Sequence, residues 1–482
     1  MQERGGAGHM TLKKVFTKQK SIYAILLLGI FTFLFLGAEY MYVNMLSLTA
    51  GEERTVIAQN YALGVSAVGS FLYPLLYRAM KKRGQIAVLT FLAFAATVCI
   101  FLIQKHISYL PTMLAGMALF LFLGLLGSAI HCLFFYLAAD RDYLARMVGV
   151  SYALGIFLQL LNNNLVKQQA EESAILSIFS LATLALLLKA EKLCCRETAE
   201  AEEHLRSTKK ESGKTNQKIT TAGGLLALLV ILMACIFSTL DNAVTMHHVT
   251  GTSIGQWPRL LLAVSGLAAG FLYDIRDRKY MTLIMYCVLL MSVICVVVLK
   301  MGRSFLIGLI VFYLSAGFFS VFFTTSFLDF AGRTQLPALW AGMGRAMNNV
   351  SAALLTNVSV ALLVSDNSSM LAIILTLALF VAISVVLFLY TAWMPTVPTD
   401  IPAPLDPHEA FRILSETLSL TPREVEVFDK LIHSEESIQE IADSLFLSRR
   451  TCQRYIASIY EKAGVKSRMG LYQLYTEKQR RQ

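Results

Sequence analysis

Stretches of about 20 mainly apolar residues, the length that crosses a bilayer as an α-helix, recur along the chain as far as residue 393. The apolarity within each stretch is continuous rather than alternating, which favours helices over a β-barrel because lipid requires every backbone group to be bonded internally. With 56% hydrophobic and only 15% charged residues among 482, the composition is typical of a membrane protein. The sequence therefore predicts an all-α, polytopic bundle with twelve transmembrane spans. The predicted spans are 21–46, 57–77, 86–103, 110–138, 147–166, 174–188, 221–244, 254–273, 280–299, 305–330, 337–363 and 370–393.

Shifts in composition divide the chain into domains. A hydrophilic stretch rich in Lys, Glu and Ser separates two sets of six spans, and half of the 10 prolines fall between Met394 and His408, as in an extended spacer. The predicted domains are a basic N-terminal tail at 1–20, a transmembrane half at 21–188, a cytoplasmic central loop at 189–220, a second transmembrane half at 221–393, a proline-rich linker at 394–407 and a small helical domain at 408–482.

The orientation of the bundle follows from its loops. Lys and Arg concentrate in alternate loops, for example around Lys81 and Arg276, and short basic loops stay on the cytoplasmic side during insertion. We therefore expect a multi-pass protein of the inner membrane with both termini in the cytoplasm, assuming a cell without a nucleus. The first apolar run lacks a small-residue cleavage site, so it is interpreted as a span rather than a signal peptide. These loops also account for most of the net charge of +10.

Ionisable and amide side chains within the predicted spans are costly in lipid and are candidates for function. Glu39 and Asp241 occupy matching positions in the first helix of each half, a weak internal repeat that predicts a shared cavity between the halves. Candidate residues of this ligand cavity are Glu39, His131, Asp241, Asn348 and Asn349. Each of them also fits a packing role, because polar side chains commonly form hydrogen bonds between membrane helices.

The loop between the eighth and ninth predicted spans reads GFLYDIRDRK at 270–279. It resembles the loop signature of the major facilitator superfamily, in which a glycine precedes an acid by four residues and a basic cluster follows. The corresponding loop of the first half, at 73–82, keeps the basic end and lacks both the glycine and the acid. The acid and the basic cluster are expected to bond neighbouring helix ends at the cytoplasmic face. Asp329 and Arg345, near predicted helix ends, favour structural roles.

Beyond the linker, local signals predict short helices. The sequence TPRE at 421–424 combines an N-cap, a first-turn proline and a capping-box glutamate, and SIQE at 437–440 repeats the capping box. A third helix begins after Ser448, with Cys452 and Ile459 on its inner face and basic residues on its outer face. Two short helices, a tight turn and a third helix with a basic face predict a helix-turn-helix.

Residues 420–475 resemble the LuxR-type (NarL/FixJ-like) DNA-binding domain. The matching residues include LTPRE at 420–424, IA at 441–442, LS at 447–448, GV at 464–465 and SR at 467–468. The resemblance implies that the third helix enters the major groove of double-stranded DNA and that a fourth helix supports a homodimer. By matching position it implies base contacts for Gln453 and Arg454, and phosphate contacts for Arg449, Arg450, Thr451 and Lys466.

A protein-binding module with a charged face is the alternative for this domain. Residues 449–468, however, hold six basic residues against Glu461 alone, which is the local asymmetry that a phosphate backbone requires. The sequence thus predicts a membrane-embedded, one-component transcription regulator whose bundle binds an unknown small molecule in a lipid bilayer. A secondary transporter with an appended DNA-binding tail, or an inert anchor, are the other interpretations. No nucleophile–base pair or metal-ligand spacing is recognised, so neither an enzyme nor a cofactor is predicted.

Overall fold

The computed structural model describes residues 19–138, 143–207, 213–249, 257–300, 305–334, 336–364, 369–393, 407–434, 436–465 and 467–480. The chain divides into two compact units, Met1–Met394 and Pro395–Gln482, called here the membrane unit and the tail. Every regular element in the described residues is a helix. The predicted all-α fold is therefore confirmed.

The membrane unit consists of two halves with the same order of long helices. The first half contains α1 (Gln19–Ser47), α2 (Glu52–Ala79), α3 (Lys82–Gln104), α4 (Tyr109–Leu137), α5 (Leu144–Leu165) and α6 (Gln169–Ser207). The second half contains α7 (Gly213–Val249), α8 (Pro258–Tyr273), α9 (Met281–Lys300), α10 (Phe305–Ala331), the short α11 (Pro337–Trp340), α12 (Met343–Val364) and α13 (Ser369–Trp393).

Helix pairing repeats between the two halves. In the first half α1 packs against α5 and α6, and α2 against α4; in the second half α7 packs against α12 and α13, and α8 against α10. The halves meet through α2 with α12 and through α5 with α8, so the second long helix of each half contacts the fifth of the other. This reciprocal pairing agrees with the weak internal repeat in the sequence.

Eight helices of the described part are long and apolar enough to cross a membrane, namely α1, α3, α4, α5, α6, α7, α10 and α13. Two shorter apolar helices correspond to α8 and α9. The remaining long helices, α2 and α12, carry more polar side chains, and they pack against each other between the halves. The number of twelve spans stays a prediction.

Helices α6 and α7 continue beyond their predicted spans, to Ser207 and from Gly213 respectively, into the stretch predicted as a central loop. That stretch is rich in Ala, Glu and Lys, which have high intrinsic helix propensity in water. Charge determines where the apolar span ends, whereas helix propensity allows the helix to continue past that point. The predicted linker lies outside the described residues except for Pro407, where the first helix of the tail begins.

The tail contains α14 (Pro407–Thr417), α15 (Pro422–His433), α16 (Ile438–Ser444), α17 (Arg449–Ala463) and α18 (Arg468–Arg480). Both predicted capping boxes are formed, at Thr421 with Glu424 and at Ser437 with Glu440. The core of the tail comes from all five helices. Its buried apolar residues include Leu414, Val427, Phe428, Leu431, Ile441, Ala442, Cys452, Ile456, Ile459, Leu471 and Tyr475. The tail therefore has a hydrophobic core of its own.

Candidate functional site

Helix α17 places four of the predicted DNA contacts on one outer face. Arg449, Arg450, Gln453 and Arg454 are exposed, while Cys452 on the opposite side is fully buried. The apolar residues of α17 face the core at helical spacing, so the polar residues between them face outward. The guanidinium carbon of Arg454 lies 5.9 Å from the ring centroid of Tyr455, its helical neighbour. The face is thus open to a partner at these four positions.

The N-terminus of α17 is capped by Ser448, whose hydroxyl accepts a hydrogen bond from the backbone N–H of Thr451 at 3.2 Å. The Ser448 and Thr451 hydroxyls lie 2.8 Å apart. Arg449 and Arg450 occupy the first turn, where backbone N–H groups and the helix dipole favour an anion. Thr451 thereby has a capping role in addition to its predicted phosphate contact.

Two of the six basic residues counted in the sequence serve the fold instead. Lys462 donates a hydrogen bond from Nζ to Glu424 Oε2 at 2.8 Å and another to the carbonyl of Ser419 at 3.1 Å. Ser458 donates to the other oxygen of Glu424 at 2.6 Å. Burial raises the pKa of Glu424, but the hydrogen bonds from Lys462, Ser458 and Thr421 outweigh it and hold that pKa at about 2. This carboxylate joins α15 to α17.

Arg468 is the second such residue. Its guanidinium donates to the carbonyls of Leu431 at 2.8 Å, Glu436 at 2.7 Å and Lys430 at 3.3 Å, and also to Ser434. These carbonyls belong to the end of α15 and the turn after it, where helix-terminal acceptors lack partners. The side chain therefore caps the turn that leads to α16. Of the basic residues between 449 and 468, Arg449, Arg450 and Arg454 remain on the open face, and Lys466 lies outside the described residues.

In the membrane unit, hydrogen bonds between side chains join α2 to the second half. Asn60 donates to Asn242 at 2.8 Å, Asn242 donates to Ser359 at 3.0 Å, and Asn349 donates to Ser66 at 2.8 Å. We call this buried polar interface of α2 with α7 and α12 the central seam. Its amides donate to another amide or to a serine hydroxyl, and each bond replaces solvation that lipid does not supply.

The predicted cavity residues divide into two groups. Glu39 and Asp241 come close enough to interact electrostatically. Asn349 belongs to the central seam, and Asn348 donates to its amide oxygen at 3.1 Å. His131 is buried, with Nδ1 at 2.7 Å from the carbonyl of Gly127. These bonds give Asn349 and His131 partners within the protein and thus favour packing roles for them.

Two arginines that the cavity prediction left out lie beside the acids. Arg345 and Arg259 both attract Glu39 electrostatically. The guanidinium carbon of Arg345 lies 5.0 Å from the ring centroid of Phe35, and that of Arg259 lies 4.8 Å from the ring centroid of Tyr40. Arg345 sits in the interior because the preceding short helix α11 packs against α2 and α4, which places the start of α12 inside the bundle. Intramembrane charge is the sequence signal that marks both arginines as functional candidates, although neither was included among the predicted cavity residues.

The second contact between the halves carries a charged clasp, defined by Asp274 and its partners. Asp274, at the end of α8, accepts hydrogen bonds from the backbone N–H groups of Ala145 at 3.1 Å and Arg146 at 2.8 Å, at the start of α5. A carboxylate at a helix N-terminus is favoured by the free N–H groups and the dipole. The expected bond between the loop acid and a neighbouring helix end is present.

Ion pairs extend the clasp within the second half. Arg278 pairs with Asp274 at 3.5 Å and with Asp329 at 3.0 Å, and Asp329 pairs with Arg333 at 3.0 Å. Arg276, Asp277 and Arg278 have φ values of 49°, 54° and 65°, a left-handed run without glycine. Each such residue costs about 1 kcal/mol or more, so surrounding contacts must hold this turn in place. Asp329 thus has the structural role predicted for it.

Comparison with known proteins found a similarity for each unit. Residues 418–475 match the family described as bacterial regulatory proteins, luxR family. The fold is similar to that of the human organic anion transporter MFSD10 (TETRAN), with 14% sequence identity and a TM-score of 0.53 over 78% of this chain and 99% of that chain. At this identity the similarity establishes the fold alone, a major-facilitator-like membrane region. No curated protein matches the chain.

Proposed function

Starting from a chain that joins a LuxR-type DNA-binding domain to a major-facilitator-like membrane unit, we propose that the protein is a membrane-embedded, one-component transcription regulator. In this proposal a small molecule binds between the halves of the membrane unit and changes DNA binding by the tail. The exposed basic face of α17 is the observation that carries the proposal. It presents Gln453 and Arg454 for base edges, with Arg449, Arg450 and Thr451 near phosphates.

The interior of the membrane unit supports the sensing part of the proposal. A sensor needs a ligand that binds one conformation of the protein better than another. Glu39, Asp241, Arg259 and Arg345 come from helices of both halves, so a molecule that contacts them interacts with both. The separation of the halves also affects the clasp around Asp274, which joins α8 to α5. We therefore propose that ligand binding changes the contacts between the two halves.

The location completes the proposal. Lys and Arg in alternate loops favour an inner-membrane protein with both termini, and hence the tail, in the cytoplasm. On DNA the tail is proposed to form a homodimer through α18, on which Met469 and Tyr472 are exposed. Two half-sites would then be bound together, which raises the affinity for a paired operator.

Genome-wide DNA crosslinking of the intact protein in its host tests this function. The parent is compared with a variant that carries Gln453→Ala and Arg454→Ala. We expect discrete peaks for the parent and their loss in the variant, since each base contact discriminates by about 1 to 3 kcal/mol. The control removes Arg412 and Glu416, an exposed ion pair on α14, by substitution with alanine. The control is expected to keep the peaks.

A parent without peaks under any growth condition would contradict the regulator. Peaks that persist in the Gln453→Ala, Arg454→Ala variant would contradict the assignment of base contacts. Equal loss in the variant and in the α14 control would show that the tail tolerates no surface change, which would also remove support for α17 as the contact face.

A secondary transporter with a regulatory tail is the second candidate function. The specific observation in its favour is the fold similarity, which extends over nearly the whole length of a transporter chain. The degenerate first-half loop at 73–82 argues against it. Solute uptake into proteoliposomes that stops in Glu39→Gln and Asp241→Asn variants would favour transport. Normal crosslinking without any flux would favour a sensor.

A further inference from the structure

The environment of Arg345 leaves its hydrogen-bond donors available. The guanidinium carbon lies over the rings of Phe35 and Phe323, at 5.0 Å and 5.9 Å from their centroids. Aromatic rings cover the faces of a guanidinium, whereas its N–H groups point outward in its plane. Within the described residues no side chain or carbonyl accepts a hydrogen bond from Arg345. Arg345 is half-buried, and guanidinium donors that lack a protein acceptor are suited to a planar oxyanion such as a carboxylate.

Glu39 lies among other hydrogen-bond acceptors. Gln59 is buried, and its amide nitrogen donates to Glu39 Oε1 at 2.7 Å. This bond fixes the amide orientation, and the amide oxygen of Gln59 then has no hydrogen-bond partner in the described part of the chain. Asp241 lies near enough to repel Glu39. Two carboxylates and an unused amide oxygen are a set of acceptors that suits an ammonium group.

The four ionisable groups comprise as many acids as arginines. Glu39 and Asp241 carry two negative charges, and Arg259 and Arg345 carry two positive charges in their ordinary ionised forms. No ion pair joins any of the four to another among the residues that the structure describes. Arg259 instead hydrogen-bonds Tyr313 and lies over the ring of Tyr40. Opposite charges gain most from direct contact, so charged groups whose contacts are with neutral partners can still bind a polar molecule.

We infer that the membrane unit binds a small zwitterion, with its carboxylate on Arg345 and its ammonium group among Glu39, Asp241 and the amide oxygen of Gln59. An α-amino acid is the smallest molecule of this class. A ligand without net charge matches a site whose own charges cancel, whereas an anion or a cation alone would leave one pair of groups unsatisfied. The inference rests on the proposed function, because it names the class of molecule to which the sensor responds.

Thermal unfolding of the purified full-length protein in detergent tests the ligand class. The twenty common amino acids and simple dipeptides are compared with their C-terminal amides, which keep only the ammonium group, and with their N-acetyl derivatives, which keep only the carboxylate. We expect at least one free zwitterion to raise the midpoint of unfolding in a concentration-dependent manner. The matching amide and N-acetyl derivative are expected to bind more weakly by about tenfold or more, the effect of losing a charge-assisted hydrogen bond.

Substitutions of Arg345 and Glu39 test which residue binds each end of the ligand. Arg345→Met should abolish the shift by the zwitterion, and Arg345→Lys should weaken it, because lysine keeps the charge but loses the planar fork. Glu39→Gln should weaken binding of the free amino acid while leaving the N-acetyl derivative unaffected. Arg83→Met, at an exposed arginine of α3, is the matched control and should retain the full shift. If Arg345→Met does not purify as a folded protein, the Glu39→Gln comparison still tests the assignment.

Three outcomes would overturn the inference: no stabilisation by any zwitterion, equal stabilisation by the N-acetyl derivative, or equal stabilisation by the amide. The proposed function has a separate readout, since the crosslinking peaks of the parent depend on the tail and not on the ligand class. Peaks without a zwitterion effect would therefore reject the inference alone, and a zwitterion effect without peaks would reject the regulator.

Discussion

The charged side chains of the tail differ from those between the helices of the membrane unit in how many partners they have. In the tail, Glu424 and Arg468 have partners on nearly every polar atom, and these contacts join helices to one another. In the membrane unit, Glu39, Asp241, Arg259 and Arg345 lie near one another without forming ion pairs in the described residues. A charge whose contacts are complete stabilises the fold. A charge whose contacts are incomplete is available to a ligand.

The largest effect is expected from Arg468→Ala in the tail. The change removes the donors to four carbonyls, so we expect a loss of about 3 kcal/mol or more in the free energy of unfolding. Chemical denaturation of residues 407–482 measures it, because this segment has its own core. Arg454→Ala is the control, since that exposed side chain should change the stability by less than about 0.5 kcal/mol. Equal losses in the free energy of unfolding for the two variants would contradict the distinction between charged groups with complete contacts and charged groups that remain available.

The clasp is the membrane unit's counterpart of the charge contacts in the tail. Asp274→Asn should lower the midpoint of thermal unfolding of the detergent-solubilised protein by several degrees, because an amide has no charge for Arg278 and Arg146 to attract. Asp277→Asn, at an exposed position of the same loop, should have little effect. A clasp without a stabilising role would give the two variants the same midpoint.

A smaller effect with a clear pH signature is expected from Glu424. Its folded-state pKa of about 2 lies below the ordinary value of 4.5, so its contribution to stability is complete above about pH 4.5 and is lost as the pH falls towards 2. Glu424→Gln should cost the tail about 2 kcal/mol at pH 7. The difference between variant and parent should shrink on acidification. A difference that stays constant from pH 7 to pH 2.5 would contradict the charge as its source.

The smallest change in stability is expected in the membrane interior. Glu39→Gln and Asp241→Asn remove charges without ion-pair partners, so the midpoint of unfolding of the full-length protein should stay the same or rise slightly. Both variants should alter the transcriptional response to inducer while the isolated tail binds DNA as before. A marked loss of stability, similar to that of Asp274→Asn, would place these acids among the structural charges.

Local signals account for what could be predicted about the tail. The capping boxes at Thr421 and Ser437 and the inward face of α17 form as expected, because each depends on residues within a few positions of one another. The central loop was harder to predict, since α6 and α7 extend into it after the apolar spans end. A hydropathy pattern marks the edge of lipid, and a helix crosses that edge where its residues favour helix formation.

The candidate sites required tertiary structure. Lys462 and Arg468 count as basic residues in the sequence, yet their partners are carbonyls and a carboxylate that lie 32 to 43 positions away in the chain. Arg345 looked structural because it lies near a helix end, and it reaches the interior because α11 packs against α2 and α4. Sequence spacing carries no information about such distances.

The sequence by itself determined that most of the chain is membrane-embedded and that a helix-turn-helix follows it, because lipid and helix caps act on consecutive residues. Only the tertiary structure decided which charged side chains have partners for their polar atoms and which remain available to a ligand. That depends on how helices far apart in the chain pack together: Asp274 against the start of α5, Arg468 against the end of α15, and Arg345 against two phenylalanines. Electrostatic energy depends on distance in space, and packing alone determines that distance.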